Sequence, residues 1–104
     1  MKYEIIMSDS AQADYDEYID YIAIDCDAPA TAAKHYADIK DIISSLSVNP
    51  LIYAVRYNDS LLRYGLNVRR VNYKKMAILF TVNEDKVFIH RVIAGSMITG
   101  FSLN

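Results

Sequence analysis

The spacing of the hydrophobic residues changes along this chain of 104 residues, and this change restricts the fold more than any other feature. Between residues 11 and 46, apolar side chains recur every three or four positions, which is typical of amphipathic helices. After Gly65 they alternate or form continuous runs, which is typical of β-strands. The chain is therefore expected to fold as an α+β protein with its helices and strands in separate segments.

Two helices are predicted in the first half of the chain. Ser8, Asp9 and Ser10 offer N-cap oxygens for the first helix, and Pro29 suits the first turn of the second. The second helix is expected to end before Asn49-Pro50, and the short break between the two predicts an antiparallel helix hairpin. The apolar stripes are Ala11, Tyr15, Tyr18, Ile19 and Ile22 in the first helix, and Ala33, Tyr36, Ile39, Ile43 and Leu46 in the second.

Four strands are predicted, over residues 3–7, 66–73, 76–82 and 87–94. The run 76–82 is apolar throughout, as expected of a buried central strand. The expected order is β-α-α-β-β-β, in a single domain over residues 1–104. Its helix hairpin packs on an antiparallel three-stranded meander, with the N-terminal strand added at an edge or in the centre.

The net charge of −2 is the sum of two unlike halves. Residues 1–50 carry −7 and residues 51–104 carry +5, which indicates a charged partner or two solvated faces of opposite sign. We expect an acidic helix side and a basic sheet surface that binds an acidic, largely extended partner. The acidic residues of the first helix are interpreted as a solvated face, namely Asp14, Asp16, Glu17 and Asp20.

Several classes of function are excluded by missing motifs. One cysteine and two distant histidines provide no zinc spacing, and three glycines provide no phosphate-binding or dinucleotide loop. We therefore expect no metal, no cofactor and no conventional metabolic enzyme. No secretory signal or membrane span is recognised, which favours a cytoplasmic protein without membrane contact. An open strand edge permits a dimer without predicting one.

The basic residues of the last third are the candidates for function. Arg69 and Arg70 must point to opposite faces of their strand, and His90 and Arg91 repeat this arrangement. Arg91 is in phase with the apolar residues at 87, 89 and 93, so it has either a functional role or a buried salt bridge to a helix carboxylate. A target or nucleic-acid surface would use Arg69, Arg70, Tyr73, Lys74, Lys75 and Arg91.

The order and spacing of three segments resemble the RelE/ParE toxins of bacterial type II toxin–antitoxin systems. The segments are Ser8-x-x-Ala11 with Tyr18-Ile19-x-x-Ile22, Ile39-x-x-x-Ile43-x-x-Leu46-x-x-x-Pro50, and Arg69-Arg70-Val71 followed by Ile78-Leu79-Phe80 and Arg91-Val92-Ile93. The resemblance covers roughly residues 3–96. It implies a growth-inhibiting, plasmid-stabilising toxin whose partner is a cognate antitoxin.

The family resemblance implies one of two activities. ParE-like members poison DNA gyrase, and RelE-like members cleave mRNA on the ribosome without a metal. A RelE-like site would use Arg70, His90 and Arg91. However, the family's third-strand arginine position falls on Ala77, its post-strand position falls on Met97 or Ser96, and the usual C-terminal tyrosine is absent. We therefore expect a gyrase-binding toxin, with an mRNA endonuclease and a non-toxic antitoxin-binding protein as alternatives.

Overall fold

The computed structural model describes residues 2–94 and confirms the predicted order of elements. The strands are β1 (Glu4–Met7), β2 (Arg69–Tyr73), β3 (Met76–Asn83) and β4 (Lys86–Ala94), and the helices are α1 (Asp9–Asp20) and α2 (Pro29–Ser45). A π-helical turn, Tyr21–Asp25, extends α1, and two short 3-10 helices, Pro50–Ile52 and Asp59–Tyr64, lie between α2 and β2. The architecture is α+β, as predicted.

The four strands form one mixed sheet in the order β1-β4-β3-β2. The pairs β2–β3 and β3–β4 are antiparallel hairpins, whereas β1 runs parallel to β4. The N-terminal strand is therefore at an edge. The apolar run of β3 lies between two strands, and its first five residues are buried, which explains why it carries no polar alternation.

The helix hairpin begins and turns at the residues that the sequence indicated. The Ser8 hydroxyl caps α1 by accepting the Ala11 N–H at 2.9 Å, and it donates to the His90 carbonyl at 2.9 Å. Pro29 occupies the first turn of α2. Asp27, with a φ of 50°, reverses the chain between the helices. Within residues 2–94, no helix is long and apolar enough to cross a lipid bilayer.

Hydrophobic side chains pack on both faces of the sheet. On the helix face, Tyr15 and Ile39 pack against Phe80 and Ile89. On the opposite face, here called the second face, a smaller cluster joins sheet residues to the segment before β2; its members are Leu61, Val68, Ala77, Leu79 and Ile93. The helices therefore cover one face, and the connection between α2 and β2 covers part of the other.

The structure corrects two details of the predicted strands. The strand predicted from residue 66 begins at Arg69, because Asn67 has a φ of 61°, which interrupts an extended backbone. In β4, Phe80 pairs with Ile89 while Leu79 pairs with Arg91, so His90 is an additional residue in a β-bulge. The prediction that Arg91 continues the phase of Val87 and Ile89 is therefore wrong, because the bulge turns it to the second face.

Candidate functional site

The predicted basic residues do not form one surface. Because side chains alternate along β2, Arg69 lies on the helix face and Arg70 on the second face. Arg91 shares the second face with Arg70, since both pair with Leu79. Lys74 and Lys75 form the turn of the β2–β3 hairpin. The sheet surface expected from the charge distribution is thus divided between two faces and one turn.

Arg69 has a backbone partner at the edge of the sheet. Its Nη1 donates to the Tyr53 carbonyl at 2.6 Å, and Val55 bridges to the Arg69 backbone. The Tyr53 ring in turn contacts Phe80 edge-on at 6.1 Å. Arg69 thereby attaches the segment after α2 to β2, which is an edge strand of the sheet.

Arg70, on the second face, is affected by the positive charge of a neighbouring arginine. Its Nε donates to the Asn72 side-chain oxygen at 2.7 Å. Burial and then the positive charge of Arg56 lower the pKa of Arg70 below its ordinary value. The two arginines therefore leave positive charge on this part of the sheet.

The bulge residue His90 is held between a ring and a hydroxyl. Its Nε2 lies 2.8 Å from the Thr81 hydroxyl, and its ring stacks on Tyr64 at 5.5 Å. Burial lowers the pKa of His90 below 6.5, which favours the neutral imidazole. A neutral imidazole is the form that accepts a proton, but this ring nitrogen is already hydrogen-bonded.

The Arg91 guanidinium is paired with a helix carboxylate. Its Nε and Nη2 donate to the two Asp14 oxygens at 2.6 and 2.9 Å, and the Val92 N–H donates to the same carboxylate at 3.1 Å. These hydrogen bonds raise the pKa of Arg91, and the Tyr64 hydroxyl contributes further. The salt-bridge alternative for Arg91 is confirmed. The interpretation of Asp14 as part of a solvated face is wrong, because only 15% of its side chain is exposed.

The two lysines of the β2–β3 turn, which follow Tyr73, line a separate groove beside the helices. The Tyr73 hydroxyl donates to Asp38 at 2.7 Å, and the Lys74 ammonium lies 5.6 Å from the Tyr73 ring centre. Burial, followed by the hydrogen bond to Asp38, raises the pKa of Tyr73 to about 12. A largely apolar groove of about 400 Å³ adjoins them, and it is lined by Tyr18, Tyr21, Ile22, Cys26, Ala28, Thr31, His35, Lys74 and Lys75.

Within residues 2–94, no group of three or more His, Cys, Asp or Glu side chains is placed to hold a metal ion. Ala77, at the position where the RelE-like pattern has an arginine, is completely buried in the second-face cluster. Ser96 and Met97, and the tail to residue 104, lie outside the described residues. Sequence reasoning missed Asp14 as the partner of Arg91, since no local signal distinguished it from its acidic neighbours.

Comparison with known proteins identifies the family. The sequence matches the family described as the ParE toxin of type II toxin–antitoxin system, parDE, over residues 5–99. A search of curated proteins found no significant match. The fold is similar to a solved structure described as the chromosomal ParDE TA system from P. aeruginosa, with a TM-score of 0.69 and 21% identity over 89% of this chain and 96% of that chain. Because the family match extends from β1 through β4, the chain belongs to the ParE toxin family of type II toxin–antitoxin systems.

Proposed function

We propose that this toxin acts in the cytoplasm by binding DNA gyrase, without cleaving RNA, and that a cognate antitoxin neutralises it. The observation that carries the choice of target is the pairing of Arg91 with Asp14, at 2.6 and 2.9 Å. It leaves a candidate nuclease site without one of its cations.

RNA cleavage without a metal requires positive charge placed where the pentavalent phosphate develops its own charge. A guanidinium that is hydrogen-bonded twice to a carboxylate has most of its charge compensated before a phosphate arrives. Losing one such donor slows a reaction by about 10²–10³-fold. This compensation supports a binding role for the toxin.

The residue at position 77 supports the same proposal. Ala77 offers neither a donor nor a charge, and its burial leaves no contact with a substrate. To cleave RNA, this chain would need other residues to supply the charge that is missing at position 77 and the charge of Arg91 that Asp14 compensates. Arg70, held by Asn72, is then the remaining cation of the three-residue set Arg70, His90 and Arg91.

One observation favours the alternative, RNA cleavage on the ribosome. Arg70, Arg91 and the bulge residue His90 are brought to the same part of the sheet, with Arg70 and Arg91 separated by about two strand spacings, roughly 10 Å. A hydrogen-bonded imidazole and a nearby cation can serve proton transfer when a substrate displaces the hydroxyl partner. The experiment must therefore separate the two activities.

Purified toxin should be added to DNA gyrase in a supercoiling assay, and to translating ribosomes in an mRNA cleavage assay. We expect inhibition of supercoiling or a trapped cleavage complex, and intact mRNA. His90→Gln serves as the discriminating variant, because gyrase binding does not need a proton acceptor whereas RNA cleavage does. Intact gyrase activity together with new mRNA ends that disappear in His90→Gln would refute the proposal.

The antitoxin partner is supported by the family and by the similar solved structure, which is described as a toxin–antitoxin system. We expect the neighbouring gene product to co-purify with the toxin. Because the second half of the chain carries +5, the antitoxin is expected to be acidic and its affinity to fall as salt rises. An affinity that is independent of salt would contradict the electrostatic part of this proposal.

A further inference from the structure

Residues 56–68, here called the connector loop, precede β2 and form a loop whose two ends are hydrogen-bonded to each other. The Arg56 N–H donates to the Val68 carbonyl at 2.8 Å, and Val55 bridges to Arg69 just outside this bond. The Asp59–Tyr64 3-10 helix lies inside the loop, and Gly65, with a φ of 116°, ends this helix. The loop therefore has a defined shape with its two ends fastened together.

The apolar residues of the connector loop divide into two groups. Leu61 and Val68 are 2% and 1% exposed and pack on the second face of the sheet, with Tyr64 against them. Tyr57, Leu62 and Leu66 are 86%, 58% and 77% exposed. Packing of the loop does not require these last three side chains, which line one groove. Clustered exposed hydrophobic residues are typical of a protein interface.

The charge beside this apolar group is positive. Arg56 is exposed, and its charge lowers the pKa of the neighbouring Arg70. Asp59 is the single acidic residue of the sequence between positions 51 and 83. The like charges of Arg56 and Arg70 repel, and an acidic partner would relieve that repulsion while binding.

We propose that the connector loop, through Tyr57, Leu62, Leu66 and Arg56, is the surface with which the toxin binds an acidic, partly apolar patch on its protein target. This inference rests on the proposed function, since it assumes a toxin that acts by binding a protein. Aliphatic Leu62 and Leu66 suit a protein better than a nucleic acid, whose bases require aromatic or planar cationic side chains for stacking.

The test compares a triple variant of the loop, Tyr57→Ser, Leu62→Ser and Leu66→Ser, with a matched control. The control carries Ile24→Ser and Val48→Ser, which alter side chains that are 72% and 57% exposed elsewhere on the molecule. Growth arrest on induction and the toxin concentration for half-inhibition of gyrase are measured. We expect the loop variant to lose potency by about tenfold or more and the control to stay within about twofold of wild type.

A charge pair completes the design, because Arg56→Glu should weaken growth arrest whereas Arg56→Lys should retain it. Thermal unfolding at the wild-type temperature establishes that each variant is folded. Wild-type potency in the triple variant would overturn the proposal. Two other outcomes would also overturn the proposal. In the first, the triple variant keeps its potency but no longer binds the antitoxin; in the second, the triple variant keeps its potency and changes only from a dimer to a monomer.

Failure of the proposed function has a different signature. If wild-type toxin arrests growth without inhibiting gyrase, the choice of gyrase is wrong, and the loop is judged by growth arrest alone. Loss of arrest in the triple variant, but not in the control, then supports the loop as the surface for another protein target. If the wild-type chain does not arrest growth at all, both proposals fail.

Discussion

The Asp14 carboxylate joins α1 to the edge of β4 by accepting two hydrogen bonds from Arg91 and one from the Val92 N–H. Strand β1 pairs with β4 only as far as Met7 and Ile89, so the β4 edge beyond this point has no strand neighbour in β1. Ser8 and Asp14 occupy this stretch of edge instead, with Ser8 bonded to the Ile89 and His90 carbonyls. The β-bulge is thus attached to the start of α1 by the backbone and side chain of Ser8 and by the Asp14 carboxylate.

Replacement of Asp14 by asparagine should destabilise the fold. The variant leaves a partly buried guanidinium without its counter-charge and weakens the acceptor for Val92. We expect a loss of about 2 kcal/mol in the free energy of unfolding, measured by urea denaturation. Glu17→Gln removes the same charge from an exposed position of α1 and should change stability by less than about 0.5 kcal/mol. Equal effects of the two variants would contradict a structural role for the Asp14–Arg91 pair.

His90 should make the fold less stable in mild acid. Because burial lowers its pKa in the folded state, the unfolded chain takes up the proton first as the pH falls below about 6.5. The stabilisation provided by neutral His90 is complete above that pH and is lost as the pH falls through the lower, folded-state pKa. The unfolding temperature should therefore decline between pH 7 and 5, and it should decline less in His90→Gln. Identical slopes for the two proteins would show that His90 does not contribute.

Much of the fold follows from local signals, whereas the site depends on contacts across the chain. The apolar run that begins at Met76, the N-cap at Ser8 and the proline at position 29 each specify an element through nearby residues, and each prediction is confirmed. The bulge at His90 has no such signal, because one additional residue in a strand leaves the alternation intact on either side of it. That single residue reverses the face of Arg91.

The partner of Arg91 shows the same limitation. A salt bridge to a helix carboxylate is one of the two alternatives that the sequence leaves open for Arg91, because a guanidinium among apolar residues needs a counter-charge. Which carboxylate supplies it depends on how α1 lies along β4, over a separation of 77 residues. The exposure of Tyr57, Leu62 and Leu66 could not be predicted from the sequence either, since their spacing does not distinguish an outward side chain from a buried one.

Tyr15 should determine part of the stability in alkali. Burial is the largest cause that raises its pKa to about 12, followed by Tyr36, and its hydroxyl donates to the Tyr36 carbonyl at 2.6 Å. Between pH 10 and 12 the unfolded chain ionises first, so the free energy of unfolding falls as the pH rises. Tyr15→Phe should cost about 1 kcal/mol at pH 7 but show a shallower decline above pH 10.

The control for Tyr15 is Tyr57→Phe, since Tyr57 is 86% exposed. Guanidinium denaturation at intervals from pH 8 to 11.5 measures both variants against wild type. The Tyr57→Phe curve should coincide with that of wild type at every pH. A Tyr15→Phe curve parallel to wild type above pH 10 would refute the assignment of this pH dependence to the buried phenol.

Gly65 should be sensitive to substitution because of its backbone conformation. Its φ of 116° and ψ of −174° lie in a region that is almost restricted to glycine, although an added Cβ would meet no atom within 4 Å. The cost of Gly65→Ala is therefore backbone strain, without a steric clash, and we expect a loss of about 1–3 kcal/mol in the free energy of unfolding, measured by urea denaturation.

Asn67→Gly is the matched control, because a φ of 61° is accessible to asparagine, and its stability should differ from wild type by less than about 0.5 kcal/mol. If Gly65→Ala unfolds at the wild-type urea concentration, this backbone conformation does not constrain the loop. If instead it is destabilised and also loses growth arrest at a temperature where it remains folded, the shape of the loop itself contributes to binding of the target.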